Sequence, residues 1–566
     1  MNRVSRLVYN RALGQVQVAP ETASRTAGGS TAHSVGRPLR RALLAVALAA
    51  ARTAQAQTLP TGGIVVDGSA SINSSDSTMV ITQGSNQALI HWNDFSIGNG
   101  GTVIFNQPSA SAVALNIVAG SLASEINGSL LANGQVFLIN PNGILFGSNA
   151  SVNVGSLLAS TVPLAGYNDS TYDFSGNPAS STVVANQGSL TAANGSVVLL
   201  GASVWNTGLI KASNAIHLLA ASSAVMTYDP GTGLQPALVS GATSVSLNAV
   251  VNTGTLQSES VSLRAHAATG AQPNLINLGG TVIAQGISPA TGSLLVTANG
   301  DVTQSAAVTA DQVTVQTSGN YVQTGGQLTT DVLLLLLTGN ATLASGSNRI
   351  SSLGGVIVGN LALHNDAPLQ QFGGLDISGT TTIANGSQAI TLTDAGNRFG
   401  GAVNLAGGQI SLASGGALTV GSVVATGDVS LSGSSLALTS ALDTGSHGLE
   451  LTASSGALAV TQALHGGTVA LHGRDGIVLA SDITAQSLVL ESSNAAIQQS
   501  AGNLLVNGTT AVDAGSGAVN LGSIGNAFGG AVALEGGAID LATSGTLTLG
   551  NVAGGSLVAR AGGAMG

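Results

Sequence analysis

Along most of the chain, apolar residues take every second position for only three to five residues at a time, as in Val403-Asn404-Leu405, Ile410-Ser411-Leu412 and Leu418-Thr419-Val420. A period of two marks a strand with one buried face. These runs recur every 6–10 residues, and Gly, Asn, Ser or Thr fills nearly every gap. Asn-Gly pairs, beginning at Asn99, Asn127, Asn133, Asn142, Asn194, Asn299, Asn385 and Asn507, permit sharp corners because both residue types tolerate positive φ. No 3.6-residue period extends over a useful length; residues 121–126 have room for one helical turn.

Two stretches break the alternation. Residues 135–139, QVFLI, are nearly continuous in apolar character. They stop at Asn140-Pro141-Asn142-Gly143, and Ile144-Leu145-Phe146 starts again. Pro141 fixes φ and lacks a donor, so the strand ends at Asn140. Asn142-Gly143 then accepts a conformation that other residues resist. The second stretch, Asp331-Val332 followed by five leucines, is too short to span a membrane and reads as a buried strand.

The pattern also repeats on a longer scale. GNRFGGAVNLAGGQISLASGGALTVGSV (396–423) returns as GNAFGGAVALEGGAIDLATSGTLTLGNV (525–552), offset by 129 residues and identical at 18 of 28 positions. Apolar positions persist, as in Val403/Val532, Leu405/Leu534 and Ile410/Ile539. Internal repetition of short strands means a stacked, quasi-one-dimensional fold. Antiparallel sandwich strands are usually longer and joined by hairpins, so the pattern predicts an all-β fold, a parallel β-helix whose inward Val, Ile and Leu form ladders. With three strands per turn of ~20 residues and turns ~4.8 Å apart, the chain after residue 56 makes roughly 25 turns and a rod on the order of 120 Å. Residues 57–120, with Trp92, Phe95 and Phe105 and irregular spacing, are the expected N-terminal cap against edge pairing. The chain ends in repeat-like AGGAMG (561–566), which reads as the front portion of a longer protein.

Composition sharpens this picture. Charged residues are only 7%, but 44% hydrophobic residues argue against disorder. There is no cysteine, which excludes disulfides and thiolate metal sites. Arg37, Arg40 and Arg41 precede an apolar run (42–51), and Ala54-Gln55-Ala56 supplies a small-x-small cleavage site before Gln57. These are the three regions of a secretory signal peptide, too short to be a membrane span, and they imply export by the Sec machinery. Eight of the 14 basic residues lie in 1–56, with one acid, Glu21, so the remainder carries 6 basic and 23 acidic residues, a net charge of −17. Such a polyanion is no binder of nucleic acid.

The segment before the usual signal, MNRVSRLVYNRALGQVQVAPETAS, resembles the extended signal-peptide region of type V secretion systems in Gram-negative bacteria. Residues 59–165 resemble the secretion domain of filamentous haemagglutinin and the high-molecular-weight adhesins, the exported partners of two-partner secretion. The likeness runs in order through IHWNDFSIGNGGTVIFNQPS (90–109), LNIVAGSLASEINGSLLANGQVFLINPNGILFG (115–147) and ASVNVGSLLAST (150–161). NPNGI, that is Asn140, Pro141, Asn142, Gly143 and Ile144, is its most specific element and the expected secretion motif. No clear second motif of the Asn-Pro-Asn-Leu kind follows. The resemblance implies a right-handed β-helix with an N-terminal cap, read in the periplasm by the receptor domains of a dedicated outer-membrane β-barrel transporter.

Chemistry is sparse. β-Helical polysaccharide enzymes need clustered carboxylates on one outer face, whereas Asp67, Asp76 and Asp94 are separated by strands. The polar segment 167–178, YNDSTYDFSGNP, reads as an exposed loop, an insertion off the rod, and not as a calcium site. His465 and His472 read as surface histidines. No catalytic residue, metal site or cofactor is expected. The expected organisation is a cleaved signal peptide (1–56), a secretion domain with cap and first turns (57–240), and a repetitive rod (241–566). The expected function is a secreted or surface-exposed adhesin that binds a receptor on a host or neighbouring cell. A contact-dependent growth-inhibition toxin would share this front portion; a polysaccharide enzyme is disfavoured.

Overall fold

The computed structural model describes residues 5–10, 15–20 and 59–566, save 230–232, 246, 269–271 and 287–290. The chain divides between residues 56 and 57 into two units. In the first, Ser5–Asn10 and Gln15–Pro20 pair as an antiparallel hairpin. In the second, every regular element among the described residues is a strand, and the chain winds as a parallel β-solenoid of about 24 turns. Residues 121–126 make no helical turn; Ser124–Ile126 is a strand.

A representative turn comprises Ser129–Ala132, Gln135–Ile139 and Ile144–Phe146, one strand on each of three faces. Each lies parallel beside its counterparts in the adjacent turns. Parallel register stacks like on like, so the inward positions form ladders. On the second face Val136, Leu157, Val197, Ile216, Val261, Leu294, Val313, Leu333 and Leu353 follow one another, and all are buried. The five-leucine strand obeys the same rule: Leu333, Leu335 and Leu337 point inward, while Leu334 and Leu336 stay half-exposed outside.

The N-terminal end is closed within the expected region. Ile64–Ser75 runs antiparallel to Thr78–Trp92, which pairs in parallel with Thr102–Asn106 and Val113–Val118 of the first turn. Register breaks around Asp67 and Gly68 disrupt the outer strand. Bulges and charge of this kind discourage further strands from adding.

Two hairpins leave the winding. One joins Leu164–Tyr167 to Thr171–Ser175; the other joins Ser223–Asp229 to Gly233–Ser240. Thr171–Ser175 and Ser223–Asp229 pair with each other, so the hairpins form one four-stranded antiparallel sheet. Segment 167–178 is therefore partly strand and not simply an exposed loop: Tyr172 and Phe174 alternate with polar neighbours and are buried. The sheet covers the second face of the early turns and creates a second core. Leu115, Phe137, Leu158, Val198 and Leu219 contribute from the solenoid, and Tyr172, Phe174, Met226 and Leu234 from the sheet. The rings of Phe137 and Tyr172 meet edge to face at 4.8 Å. Residues 135–139 lack alternation for this reason. Val136 and Leu138 face the solenoid interior while Phe137 and Ile139 face the second core, as expected of a strand buried on both sides. In the turn after Leu219 the outward positions become Ser262 and Arg264.

Candidate functional site: the asparagine corner

The Asn140–Gly143 corner joins the second face to the third, one turn before the first hairpin departs. Asn140 is fully buried. Its Nδ2 donates to the Leu122 carbonyl (2.9 Å) and to Ser124 Oγ (3.0 Å). Its Oδ1 accepts the backbone N–H (3.0 Å) and the Nδ2–H (3.1 Å) of Asn142, forming an Asx-type turn. Asn142 Nδ2 also donates to the Gly120 carbonyl (2.8 Å). The Ser124 N–H donates to the Gly143 carbonyl at 3.0 Å. Four hydrogen bonds thus fasten this corner to residues 120–124 of the preceding turn. Gly143 has φ +126°, a backbone conformation that side chains resist.

What the corner presents is uncharged, with polar Asn142 beside apolar neighbours. Pro141 is exposed, as is Leu122 on the corner beneath. Pro141 borders a cleft of about 260 Å³ lined also by Val162, Pro163 and Pro178 at the hairpin roots. Ile144 is buried and pairs with Val184 above and Ser124 below. The five residues of the sequence motif are therefore contiguous, with Asn140, Gly143 and Ile144 inside and Pro141 and Asn142 outside. The remaining predicted site residues, Ala54, Ala56 and Gln57, lie outside the described residues.

Other polar groups come together only through the register. Glu491, Asp513 and Glu535 occupy one outward column on consecutive turns, and they border a surface cleft of about 240 Å³. In the sequence these acids are 22 residues apart and form no visible cluster. All three side chains are exposed, whereas general-acid chemistry needs a carboxyl in a less polar setting. His472 Nδ1 lies 2.9 Å from Glu491, and His465 Nδ1 lies 2.8 Å from Asp443. Among the described residues no group of His, Asp or Glu is arranged to hold a metal ion.

Models of known families match three parts of the chain. One is the TPS secretion domain, over residues 56–309, which include the cap, the corner and both hairpins. A second is the extended signal peptide of type V secretion systems, over residues 1–51. The chain belongs to the two-partner secretion exoproteins. This exoprotein crosses the periplasm to be secreted or surface-associated, and its secretion domain implies a cognate outer-membrane transporter. The third match, to repeats of unknown function, covers residues 338–406 and 466–535. The exoprotein is similar to two heme/hemopexin-binding proteins of Haemophilus influenzae. One is 43% identical over 111 residues, 20% of this chain and 12% of the relative. The other is 47% identical over 98 residues, 17% of this chain and 11% of the relative. The alignment thus spans about a tenth of the length of these curated relatives. Among solved structures it is similar to the HMW1 secretion domain from Haemophilus influenzae, at 15% identity and TM-score 0.31, covering 88% of this chain and all of that one. It is also similar to the filamentous hemagglutinin secretion domain, at 14% identity and TM-score 0.31, covering 56% of this chain and all of that one.

Proposed function

We propose that the exoprotein is an adhesin whose N-terminal domain is the signal read by its transporter. Sec carries the precursor into the periplasm. There the transporter's periplasmic receptor domains recognise residues 57–240, the span that carries the cap, the corner and both hairpins. The rod from residue 241 onward then presents binding surface to a receptor on a host or neighbouring cell. The supporting observation is the corner itself: four hydrogen bonds hold it against the preceding turn, so Pro141 and Leu122 are displayed on a rigid base. Rigid display lowers the ordering cost of recognition.

Replacing Asn142→Ala with Gly143→Ala in the full chain, co-expressed with its transporter, tests this. Secreted yield should fall several-fold while the periplasmic pool rises. Unchanged yield and unchanged protease resistance would remove the corner from the proposal.

A second reading follows from the relatives' names: the ligand presented is haem or hemopexin. Titration of the secreted chain with hemin, followed by the Soret band, separates the two. A saturable shift supports haem as cargo, and a flat titration leaves the adhesin reading in place.

A further inference from the structure

The two 28-residue copies, 129 residues apart, share more than their apolar ladders. In each, the buried asparagine at the second position exchanges side-chain hydrogen bonds with a glutamine of the preceding turn. Gln499 Nε2 donates to Asn526 Oδ1 (2.8 Å), and Asn526 Nδ2 donates back to Gln499 Oε1 (2.9 Å). Gln371 and Asn397 make the same exchange. A third pair, Gln323 and Asn348, lies outside the repeat, with both bonds at 2.8 Å. The separations are 25, 26 and 27 residues.

The surroundings match too. Each asparagine Oδ1 also accepts a backbone N–H from a leucine of the earlier turn, Leu328, Leu375 or Leu504, at 2.9 Å. Asn397 Nδ2 reaches the Leu392 and Ala413 carbonyls, and Asn526 Nδ2 reaches the equivalent Leu521 and Ala542 carbonyls. All three asparagines are fully buried.

Apolar ladders alone do not fix the register of such a rod. A one-residue slip turns every side chain to the wrong face, but a two-residue slip sets Leu over Val and Val over Leu with both still inward. Such a slip would leave the glutamine and asparagine amides buried without their partners, a heavier penalty than a mismatched methyl group. We propose that the Gln–Asn pairs are register locks: a turn docks stably only when its asparagine meets the glutamine of the turn before. The repeat then carries its own alignment mark, and neighbouring turns that are nearly alike in apolar pattern are kept from trading places.

The absence of cysteine makes this testable in the full chain. Gln498 and Asn520 are register partners, so Gln498→Cys with Asn520→Cys reports the native register to a short thiol cross-linker. Gln498→Cys with Gly522→Cys reports a two-residue slip. The native pair should link and the slipped pair should not. Adding Gln499→Leu with Asn526→Leu keeps the site filled but removes the exchange. The slipped pair should then link at least about tenfold more, because nothing polar penalises the slip. A Leu/Leu protein that keeps its β-sheet circular dichroism and still shows no slipped product would overturn the proposal. Should that variant lose its β signal, Gln499→Met leaves Asn526 its backbone partners and is judged by the same two outcomes.

Discussion

The early turns and the later rod are built from the same strands yet solve different problems. Before residue 240 the second face is buried on both sides, and the four-stranded sheet adds Tyr172, Phe174, Met226 and Leu234 to a second core. From Leu295 onward the outward positions of that face, such as Thr314 and Leu334, are partly exposed, and order comes from ladders and buried amide pairs. The contrast teaches that a solenoid needs little more than alternation to grow in length. An individual, recognisable surface requires side chains on the outer face and something to cover them.

Truncating one covered and one half-exposed side chain of the same column tests that contrast directly. Phe137 and Leu334 belong to one outward column, the first covered and the second half-exposed. Phe137→Ala should cost about 3–5 kcal/mol in denaturant unfolding of the full chain. Leu334→Ala should cost less than about 1 kcal/mol. Similar losses would erase the distinction.

Acid provides the next test. His217 lies on the covered face, where burial first, and then the Arg264 charge, push its pKa down to about 3 from the usual 6.5. Between those values the unfolded chain binds the extra proton, so stability falls as pH drops through the window. The slope is at most about 1.4 kcal/mol per pH unit. His217→Gln should flatten the decline of melting temperature with acid; an unchanged slope would point to another titrating group.

The corner gives the smallest effect. Gly143→Ala should cost about 1–3 kcal/mol, because its φ of +126° disfavours any side chain. Gly346→Ala, at a rod position with open space around it, should lie within about 0.5 kcal/mol of zero. Equal costs would mean that the corner is no more constrained than a generic turn.

The solenoid was legible in the sequence because alternation and spacing are local properties, and the repeat at 396–423 and 525–552 exposed the stacking. The corner was legible for the same reason, since proline and glycine impose their own backbone. Its anchors were not, because Gly120 and Leu122 contribute only carbonyls, which any residue possesses. The four-stranded sheet left a partial trace: Val197–Gly201, and Ala215–Ala220 with His217 as its one polar residue, lack alternation and signal strands buried on both faces. That signal does not say what covers them. The covering strands pair across two intervening turns, and segment 167–178 reads as a polar loop until Tyr172 and Phe174 are seen to share a face. The carboxylate column and the Gln–Asn pairs were hidden because residues 20 or more apart become neighbours only once the register is known.

One feature of the four-stranded sheet concerns time. Thr171–Ser175 finds its second partner, Ser223–Asp229, only two turns later. A chain delivered from its N-terminus therefore lays down Phe137, Leu158 and Val198 well before their cover is complete. The second core works as a clock set by chain length: it cannot close until residue 240 has arrived, however quickly each turn winds. Until that moment the early turns have reached their final path but not their final surface.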